Sequence, residues 1–319
     1  MGCKCNPFWS SCTTRQYVIE IARQRRHPGG GKGNYSGYAG MAVSQGEPMA
    51  SIQVRGHSIY YETHGRGHPL VLISGLGTSR LFWWKQLGPL SKHHRTIILD
   101  NRGIGDSSRV NLPFSITDMA DDVADLIRTL NLGPSYVAGI SMGGFIAATL
   151  TLRHPDLVRK LVLTSTSAGG ATHVGPGDDI LQLLMNTSGW DVETYTRRVY
   201  TAIAGSGYMQ KHPDDLSRIV RNALEKPLSP ETYLYQLNAI NGYGNSAGIN
   251  RMLDQISVPT LVIHGDQDPL VPYPNGQYLA AHIKGAILLT YAGVGHLPPI
   301  EATDRFNADV LDFFGYGKS

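Results

Sequence analysis

Six short apolar runs follow one another along the chain, with longer amphipathic stretches between them. They read PLVLIS, TIILD, YVAGI, KLVLTST, TLVIHG and AILLTYA. Near-continuous apolar runs of this length are typical of parallel strands that are covered on both faces. Ahead of them, SIQVRGHSIYYETHG alternates apolar and polar positions on either side of Gly56 and His57, which predicts a β-hairpin. The pattern therefore predicts an eight-stranded, mostly parallel sheet.

The stretches between these runs predict helices. In SITDMADDVADLIRTL, apolar side chains recur at helical spacing, and Ser115 with Asp118 resembles a capping box. The apolar face of this helix consists of Met119, Val123, Leu126, Ile127 and Leu130. Strands that alternate with helices indicate a doubly wound α/β fold. The alternation stops between about residues 171 and 255, where the runs are helical and rich in tyrosine, and this predicts a helical cap inserted between the sixth and seventh strands.

Composition indicates how the chain is divided. A chain of 319 residues with 41% hydrophobic and 17% charged side chains can bury a sizeable core. We predict that residues 49–170 and 256–319 form the α/β core and that residues 171–255 form the cap. Residues 1–48 contain the run GGGKGNYSGYAG, which cannot build a packed core. We therefore predict that these residues are a flexible leader outside the fold.

Cysteine content and hydropathy bear on the compartment. All three cysteines, Cys3, Cys5 and Cys12, lie in the leader, so disulfides do not support the predicted fold. No apolar run reaches 18 residues, which predicts that no segment spans a membrane. Arg25 and Arg26 are followed by glycines where an export signal needs an apolar segment. We therefore expect a cytoplasmic protein that does not associate with membranes.

The formal net charge of +3 comes from the leader. Residues 1–40 contain one acidic residue, Glu20, and six basic residues, namely Lys4, Arg15, Arg23, Arg25, Arg26 and Lys32. The remainder of the chain holds 22 basic and 24 acidic residues and has a net charge of −2. A body with this charge gives no electrostatic reason to expect binding to nucleic acid.

The stretch VAGISMGGFIAATL, residues 137–150, places one hydroxyl, Ser141, between a predicted strand and a predicted helix. A tight turn at this junction strains its central residue, and glycines at positions 139 and 143 relieve the collision of side chains across it. The turn exposes the hydroxyl, and the following helix directs free N–H groups at the space above it. A structural serine in a glycine-rich turn is the alternative, and the position after a buried strand argues against it. Ser141 is therefore a candidate nucleophile.

A serine nucleophile needs a base that takes its proton and a carboxylate that orients the base. His296 is the best candidate for the base, because it lies in a glycine-containing loop directly after the last predicted strand. His264 ends the seventh predicted strand, where we expect it to pack beneath the loop. Asp266 and Asp268 both follow that strand, and spacing alone does not choose between them.

With these residues in place, the chain resembles the α/β-hydrolase family over roughly residues 51–315. The resemblance implies that Asp268 is the acid and that Asp266 is a turn residue. It also implies that the backbone N–H groups of Leu76 and Met142 form an oxyanion hole. The segment DNRGIGDSS is similar to a family segment with a structural role in a loop. The chain departs from the family at Ser74, where the family has a histidine before the glycine.

A serine nucleophile argues against haloalkane dehalogenases and epoxide hydrolases of this fold, which use aspartate. The resemblance implies a hydrolase without cofactor or metal, which cleaves small carboxylic esters through an acyl-enzyme. The predicted cap would limit the pocket over Ser141, so we predict a preference for short-to-medium acyl chains. Hydrolysis of lactones or enol-lactones, hydrolysis of carbon–carbon bonds and perhydrolysis use similar triads and remain alternatives. A ligand receptor of the same fold, in which hydrolysis is vestigial, is an alternative of another class.

Aromatic side chains indicate where the substrate binds. Phe82, Trp83 and Trp84 follow the predicted oxyanion loop, and Trp190 lies in the predicted cap. They predict an aromatic-lined pocket for an apolar acyl or alcohol group. Ordinary packing between helices is the alternative for each of these side chains.

Overall fold

An eight-stranded sheet organises the structure, a computed structural model that describes residues 50–185, 191–245 and 248–316. The strands are β1 (Ala50–Val54), β2 (His57–His64), β3 (His68–Ile73), β4 (His94–Leu99), β5 (Ser135–Ile140), β6 (Val158–Thr164), β7 (Thr260–Gly265) and β8 (Ile287–Tyr291). Their order is β1-β2-β4-β3-β5-β6-β7-β8. The pairs β1–β2 and β2–β4 are antiparallel, and every other pair is parallel. The predicted hairpin and the six parallel strands are confirmed.

Helices fill the connections between the strands. Those in the described ranges are α1 (Trp84–Ser91), α2 (Ile116–Thr129), α3 (Met142–Arg153), α4 (Asp178–Met185), α5 (Val192–Ile203), α6 (Tyr208–Lys211), α7 (Pro213–Glu225), α8 (Pro230–Asn245), α9 (Pro274–His282), α10 (Pro298–Glu301) and α11 (Thr303–Phe314). The capping box of α2 is confirmed, because Ser115 Oγ accepts the Asp118 N–H and the Asp118 carboxylate accepts the Ser115 N–H. Within these ranges, none of the helices combines the length and the apolar character needed to cross a membrane.

The two faces of the sheet carry separate hydrophobic clusters. Alternate residues of β3 point to opposite faces, so Val71 and Ile73 join one cluster while Leu70 and Leu72 join the other. The first cluster contains apolar side chains of α2, α3 and α9, and the second contains those of α1 and α11. Helices therefore cover the sheet on both sides, as a doubly wound α/β fold requires.

Helices α4 to α8 lie between β6 and β7, where the cap was predicted. Their buried side chains Ile180, Val199, Ile203 and Ile219 belong to the same hydrophobic cluster as Leu90 of α1. These helices therefore extend the core on that face of the sheet, whereas Ala239 of α8 belongs to the cluster on the other face. The predicted leader, residues 1–48, and Trp190 lie outside the described residues.

Strand β8 differs from the expectation that every apolar run is covered on both faces. Only Tyr291 of this strand is buried, and Ile287 is 52% exposed. The reason is its position, since β8 is the last strand of the sheet and has a neighbour on one side only. The run AILLTYA does not by itself distinguish an edge strand from a central one.

Candidate active site

Ser141 occupies the turn between β5 and α3. Its φ of 56° and ψ of −123° form a backbone conformation that non-glycine residues rarely adopt. The Ser141 N–H donates to Thr164 O (2.9 Å), and the Ser141 C=O accepts from the Thr166 hydroxyl (2.9 Å). The side chain is partly exposed, and its Oγ has no hydrogen bond to any of the described residues. The neighbouring strand thus holds a strained residue whose hydroxyl is available to a ligand.

Three glycines around Ser141 permit this turn. A Cβ on Gly139 would overlap the carbonyl oxygen of Gly143, and a Cβ on Gly143 would overlap the carbonyl oxygen of Ile73. A Cβ on Gly144 would lie 2.6 Å from the Thr166 side chain. Crowding at positions 139 and 143 was predicted, but the obstacles are backbone carbonyl groups and not side chains across the turn. Glycine therefore lets β3, β5 and α3 approach each other closely beside the hydroxyl.

His296 and Asp268 are brought together in the loops after β8 and β7. His296 Nδ1 lies 2.8 Å from Asp268 Oδ2, and both side chains are buried. Asp268 Oδ1 accepts the N–H groups of Leu270 and Val271, each at 2.9 Å. Burial raises the pKa of Asp268, but His296 and His264 outweigh it and lower this pKa to about 2. Asp268 is therefore a carboxylate at neutral pH, and as an acceptor it places the proton of a neutral His296 on Nδ1, leaving Nε2 as the base.

The other candidate side chains of the β7 loop are in different positions. Asp266 is exposed, and its Oδ1 accepts the Gly293 N–H (2.7 Å), so it ties the two loops together as a turn residue. His264 is fully buried beneath the loop, where its Nε2 lies 2.7 Å from Val271 O and 3.4 Å from Asp268 Oδ2. Besides packing there, His264 therefore makes a polar contact with the carboxylate.

The loop after β3 runs beside Ser141. A Cβ on Gly75 would lie 3.3 Å from Ser141 Cβ and 3.8 Å from Ser141 Oγ. The Ser74 hydroxyl donates to Ser79 O (3.2 Å), so the serine that replaces the family's histidine closes this loop. The backbone N–H groups of Leu76 and Met142 donate to no acceptor among the described residues. Both N–H groups are therefore free to donate to a ligand, and the oxyanion hole that they would form stays a prediction.

Side chains of the segment DNRGIGDSS, residues 100–108, hold the loop after β3 in place. Asp100 is buried and accepts the N–H groups of Arg80 and Asp106, and the Arg80 guanidinium donates to it as well (2.6 Å). Asn101 Nδ2 donates to Ser74 O (3.2 Å). These contacts give the segment the structural role that was expected of it.

Gln236 of α8 was not identified from the sequence. Its side chain is fully buried, and its Oε1 accepts the N–H of Gly77 (2.8 Å), the residue after Leu76. A glutamine within a helix gives no signal that it contacts a loop 159 positions away. The inserted helices thus support the loop that carries one predicted oxyanion donor.

The aromatic residues predicted to line the pocket are mainly packed into the core. Phe82 and Trp83 are buried with their rings edge to face, 5.2 Å apart, and Trp84 packs against the same cluster. Trp190 lies outside the described residues. A contact between these side chains and a substrate remains a prediction. In the described ranges, no group of three or more His, Cys, Asp or Glu side chains is arranged to hold a metal ion.

Known proteins share the fold and the general size of this chain. A family model described as "alpha/beta hydrolase fold" matches residues 68–303. A curated protein of Serratia proteamaculans, named "Putative carbamate hydrolase RutD", is 31% identical over 259 residues, which cover 79% of this chain and 94% of that protein.

Two solved structures are similar over most of their length. The enol-lactonase from Burkholderia xenovorans LB400 is 28% identical with a TM-score of 0.73, and the match covers 83% of this chain and 99% of that chain. A hydrolase from Pseudomonas aeruginosa PA01 is 25% identical with a TM-score of 0.72, and the match covers 84% of this chain and 98% of that chain. The chain therefore belongs to the α/β-hydrolase family, and these similarities support hydrolysis as its class of reaction.

Proposed function

We propose that the protein is a serine hydrolase that cleaves small carboxylic esters through an acyl-enzyme. The observation that carries this proposal is the buried Asp268–His296 pair at the edge of the sheet where Ser141 lies. All three residues follow the carboxyl ends of parallel strands, β7, β8 and β5 respectively, which meet at one edge. A base whose orientation is fixed by a buried carboxylate is what a serine nucleophile needs.

Acylation begins when Ser141 Oγ attacks the carbonyl carbon of the ester. His296 Nε2 takes the serine proton, and the positive charge that forms on the imidazole is stabilised by the Asp268 carboxylate. The carbonyl oxygen becomes an oxyanion that accepts hydrogen bonds from the N–H groups of Leu76 and Met142. The tetrahedral intermediate then expels the alcohol, which receives its proton from His296, and the acyl group remains on Ser141.

Deacylation repeats these steps with water. His296 takes a proton from a water molecule, whose oxygen attacks the acyl carbonyl while the same two N–H groups stabilise the oxyanion. The bond to Ser141 Oγ breaks, Ser141 recovers its proton from His296, and the carboxylic acid is released. This chemistry requires no cofactor.

The direct test compares the wild-type enzyme with Ser141→Ala on p-nitrophenyl butyrate. The variant lacks the nucleophile but keeps the oxyanion hole, so kcat should fall by on the order of 10³-fold or more with an unchanged melting temperature. A fluorophosphonate probe should label the wild-type protein and not the variant. Substantial residual kcat in Ser141→Ala, or equal labelling of both proteins, would contradict the proposal.

A lactone is the second candidate substrate class, because the enol-lactonase structure is similar over nearly its whole length. Opening a lactone follows the same steps, except that the alcohol stays attached to the acyl-enzyme. The relative named as a carbamate hydrolase makes an aryl carbamate the third substrate to include. Values of kcat/KM for a linear ester, an enol-lactone and a carbamate of similar size rank the three classes. A linear ester that is the poorest of the three would overturn the proposed preference.

A further inference from the structure

Glu301 contacts the backbone on both sides of His296. Its Oε2 accepts the N–H of Gly295 (3.0 Å), and its Oε1 accepts the N–H of Leu297 (2.9 Å). Glu301 ends α10, one helical turn after the loop that carries His296. One carboxylate therefore binds the backbone N–H groups of the residues immediately before and after the proposed base.

The same carboxylate also binds the end of an inserted helix. Glu301 Oε2 accepts the N–H of Gly205 (2.7 Å), which lies just after α5, and the N–H of His296 itself donates to Ile203 O (2.8 Å). A Cβ on Gly295 would overlap the backbone N of Gly205, so the two segments are in direct backbone contact. His296 is consequently held between Glu301 and the segment formed by residues 203–205.

The surroundings of Glu301 are unusual for a carboxylate. None of the described Lys, Arg or His side chains forms an ion pair with it, and its partners are three backbone N–H groups. Burial raises its pKa, opposed by these three N–H groups and by the nearby His296. A carboxylate removed from water without a cation is costly unless several donors satisfy it. The donors here all belong to the His296 loop or to the segment packed on it.

We propose that Glu301 is a positioning residue that fixes the His296 imidazole relative to Asp268 and Ser141. The inference rests on the proposed role of His296 as the base. The bonds from the Gly295 and Leu297 N–H groups to Glu301, together with the bond from the His296 N–H to Ile203 O, set the direction of the His296 Cα–Cβ bond. Asp268 then fixes the ring. A shift of about 1 Å in a catalytic group is sufficient to cost about 100-fold in rate.

The variant Glu301→Gln removes one acceptor while it preserves the shape of the side chain. Its single carbonyl oxygen can replace either Oε2, which binds Gly205 and Gly295, or Oε1, which binds Leu297. In both orientations the amide NH2 group faces at least one N–H donor of the His296 loop. We therefore expect this loop to shift although the side-chain volume is unchanged.

Asp215→Asn is the matched control. Asp215 is a carboxylate of the inserted helix α7, and it accepts from Lys85 Nζ (2.7 Å) and Tyr208 OH (2.6 Å). It makes no hydrogen bond to the backbone of the His296 loop. Glu301→Asp is a second variant, which keeps the charge but is one methylene too short to reach the same donors. Both tests use the full chain, with the fold checked by circular dichroism and melting temperature.

Two readouts separate positioning from a general structural role. The first is the downfield proton resonance of His296 Nδ1–H, which is assigned by its loss in His296→Gln and needs no substrate. We expect Glu301→Gln and Glu301→Asp to shift or broaden it and to lower kcat by about 10- to 100-fold, with KM within about threefold of wild type. Asp215→Asn should leave the resonance unchanged and kcat within about threefold.

An unchanged resonance and kcat in Glu301→Gln would overturn the inference, as would equal losses in Asp215→Asn. If the Glu301 variants do not fold, amide hydrogen exchange of the wild-type protein decides, because rapid exchange at Gly295 and Leu297 contradicts the proposed bonds.

The proposed function and this inference are refuted by different results. A shifted resonance in an enzyme that hydrolyses no ester refutes the proposed function alone, whereas Ser141-dependent hydrolysis that is insensitive to Glu301 refutes the inference alone.

Discussion

At the scale of single residues, two aspartates of one loop differ in what surrounds them. Asp268 Oδ1 accepts two backbone N–H groups and Oδ2 faces His296, so both oxygens are required as acceptors. In Asp268→Asn, the amide oxygen continues to accept the Leu270 and Val271 N–H groups. The NH2 group of the asparagine then faces His296 Nδ1. This forces the tautomer with the proton on Nε2, which cannot act as the base. We expect kcat to fall by on the order of 10³- to 10⁴-fold, measured on p-nitrophenyl butyrate.

Asp266→Asn is the control for this change. Asp266 donates no hydrogen bond and uses one oxygen to accept the Gly293 N–H, which an asparagine oxygen accepts equally well. Activity within about threefold of wild type is expected. Equal losses in the two variants would show that Asp268 is not the carboxylate that orients His296.

His94 makes the folding stability depend on pH. Its ring is buried among Tyr136, Phe314 and Tyr316, and burial lowers its pKa to about 4, compared with about 6.5 in an unfolded chain. Between pH 6.5 and pH 4 the unfolded chain binds a proton there and the native protein does not. The stabilisation of the native protein by a neutral His94 is therefore complete above pH 6.5 and is lost as the pH falls toward 4. His94→Phe should reduce the loss of unfolding free energy between pH 7.5 and pH 4.5 by about 2 to 3 kcal/mol.

The neighbouring His93 provides the comparison, because its side chain is exposed. Urea denaturation of wild type, His94→Phe and His93→Asn at both pH values measures the effect. The wild type and His93→Asn should lose stability in parallel on acidification. A His94→Phe variant with the same pH dependence as the wild type would show that His94 is protonated in the native state as readily as in the unfolded chain.

At the scale of elements, helix α8 supports the loop after β3 through Gln236. Gln236→Leu leaves the part-buried Gly77 N–H without its acceptor, which costs about 1 to 3 kcal/mol and loosens the loop that carries the Leu76 N–H. We expect kcat to fall about tenfold, because a displaced donor stabilises the oxyanion less well. Gln236→Glu keeps an acceptor for Gly77 but buries a carboxylate that this single N–H does not satisfy, so it should recover only part of this loss. Amide exchange at Gly77 that is faster in Gln236→Leu but not in Gln236→Glu would show that a loosened loop causes the loss of activity. A fully active Gln236→Leu variant would refute the role of Gln236 in supporting the loop.

The elements also explain which residues the sequence could predict. Ser141, Asp268 and His296 each follow an apolar run that forms a parallel strand, and the carboxyl ends of such strands meet at one edge of the sheet. Local pattern was therefore sufficient to propose that they lie together, whereas the choice of Asp268 over Asp266 needed the family resemblance. Gln236 and Glu301 act across contacts between segments 159 and 96 residues apart. No local periodicity encodes such contacts, because they depend on how the inserted helices pack on the sheet.

At the scale of the whole molecule, the inserted helices α4 to α7 share a hydrophobic cluster with one face of the sheet, while Ala239 of α8 belongs to the cluster of the other face. Ile203 of α5, Phe82 beside the loop after β3 and Leu297 beside His296 belong to that cluster. The exposed large apolar side chains among the described residues come from separate segments, namely Leu112, Val174, Val192, Leu224, Met252, Ile287 and Tyr316. Among the described residues, this distribution provides no continuous lipid-docking run along one element.

We predict that the inserted helices close the site over Ser141, and a closed site makes activity depend on acyl chain length. Each CH2 group that the site buries favours binding by at most ~0.8 kcal/mol, so kcat/KM should rise by up to about fourfold per carbon over the first few carbons. Once the site is filled, further carbons remain in water or meet the inserted helices, and kcat/KM must fall. We therefore expect an optimum at short-to-medium acyl chains and little activity on long-chain triglycerides. The measurement is the p-nitrophenyl ester series from acetate to palmitate, at concentrations where every ester is soluble, with Ser141→Ala as the background at each length. A flat profile, or an optimum at palmitate, would instead indicate an open groove that binds long chains along its length.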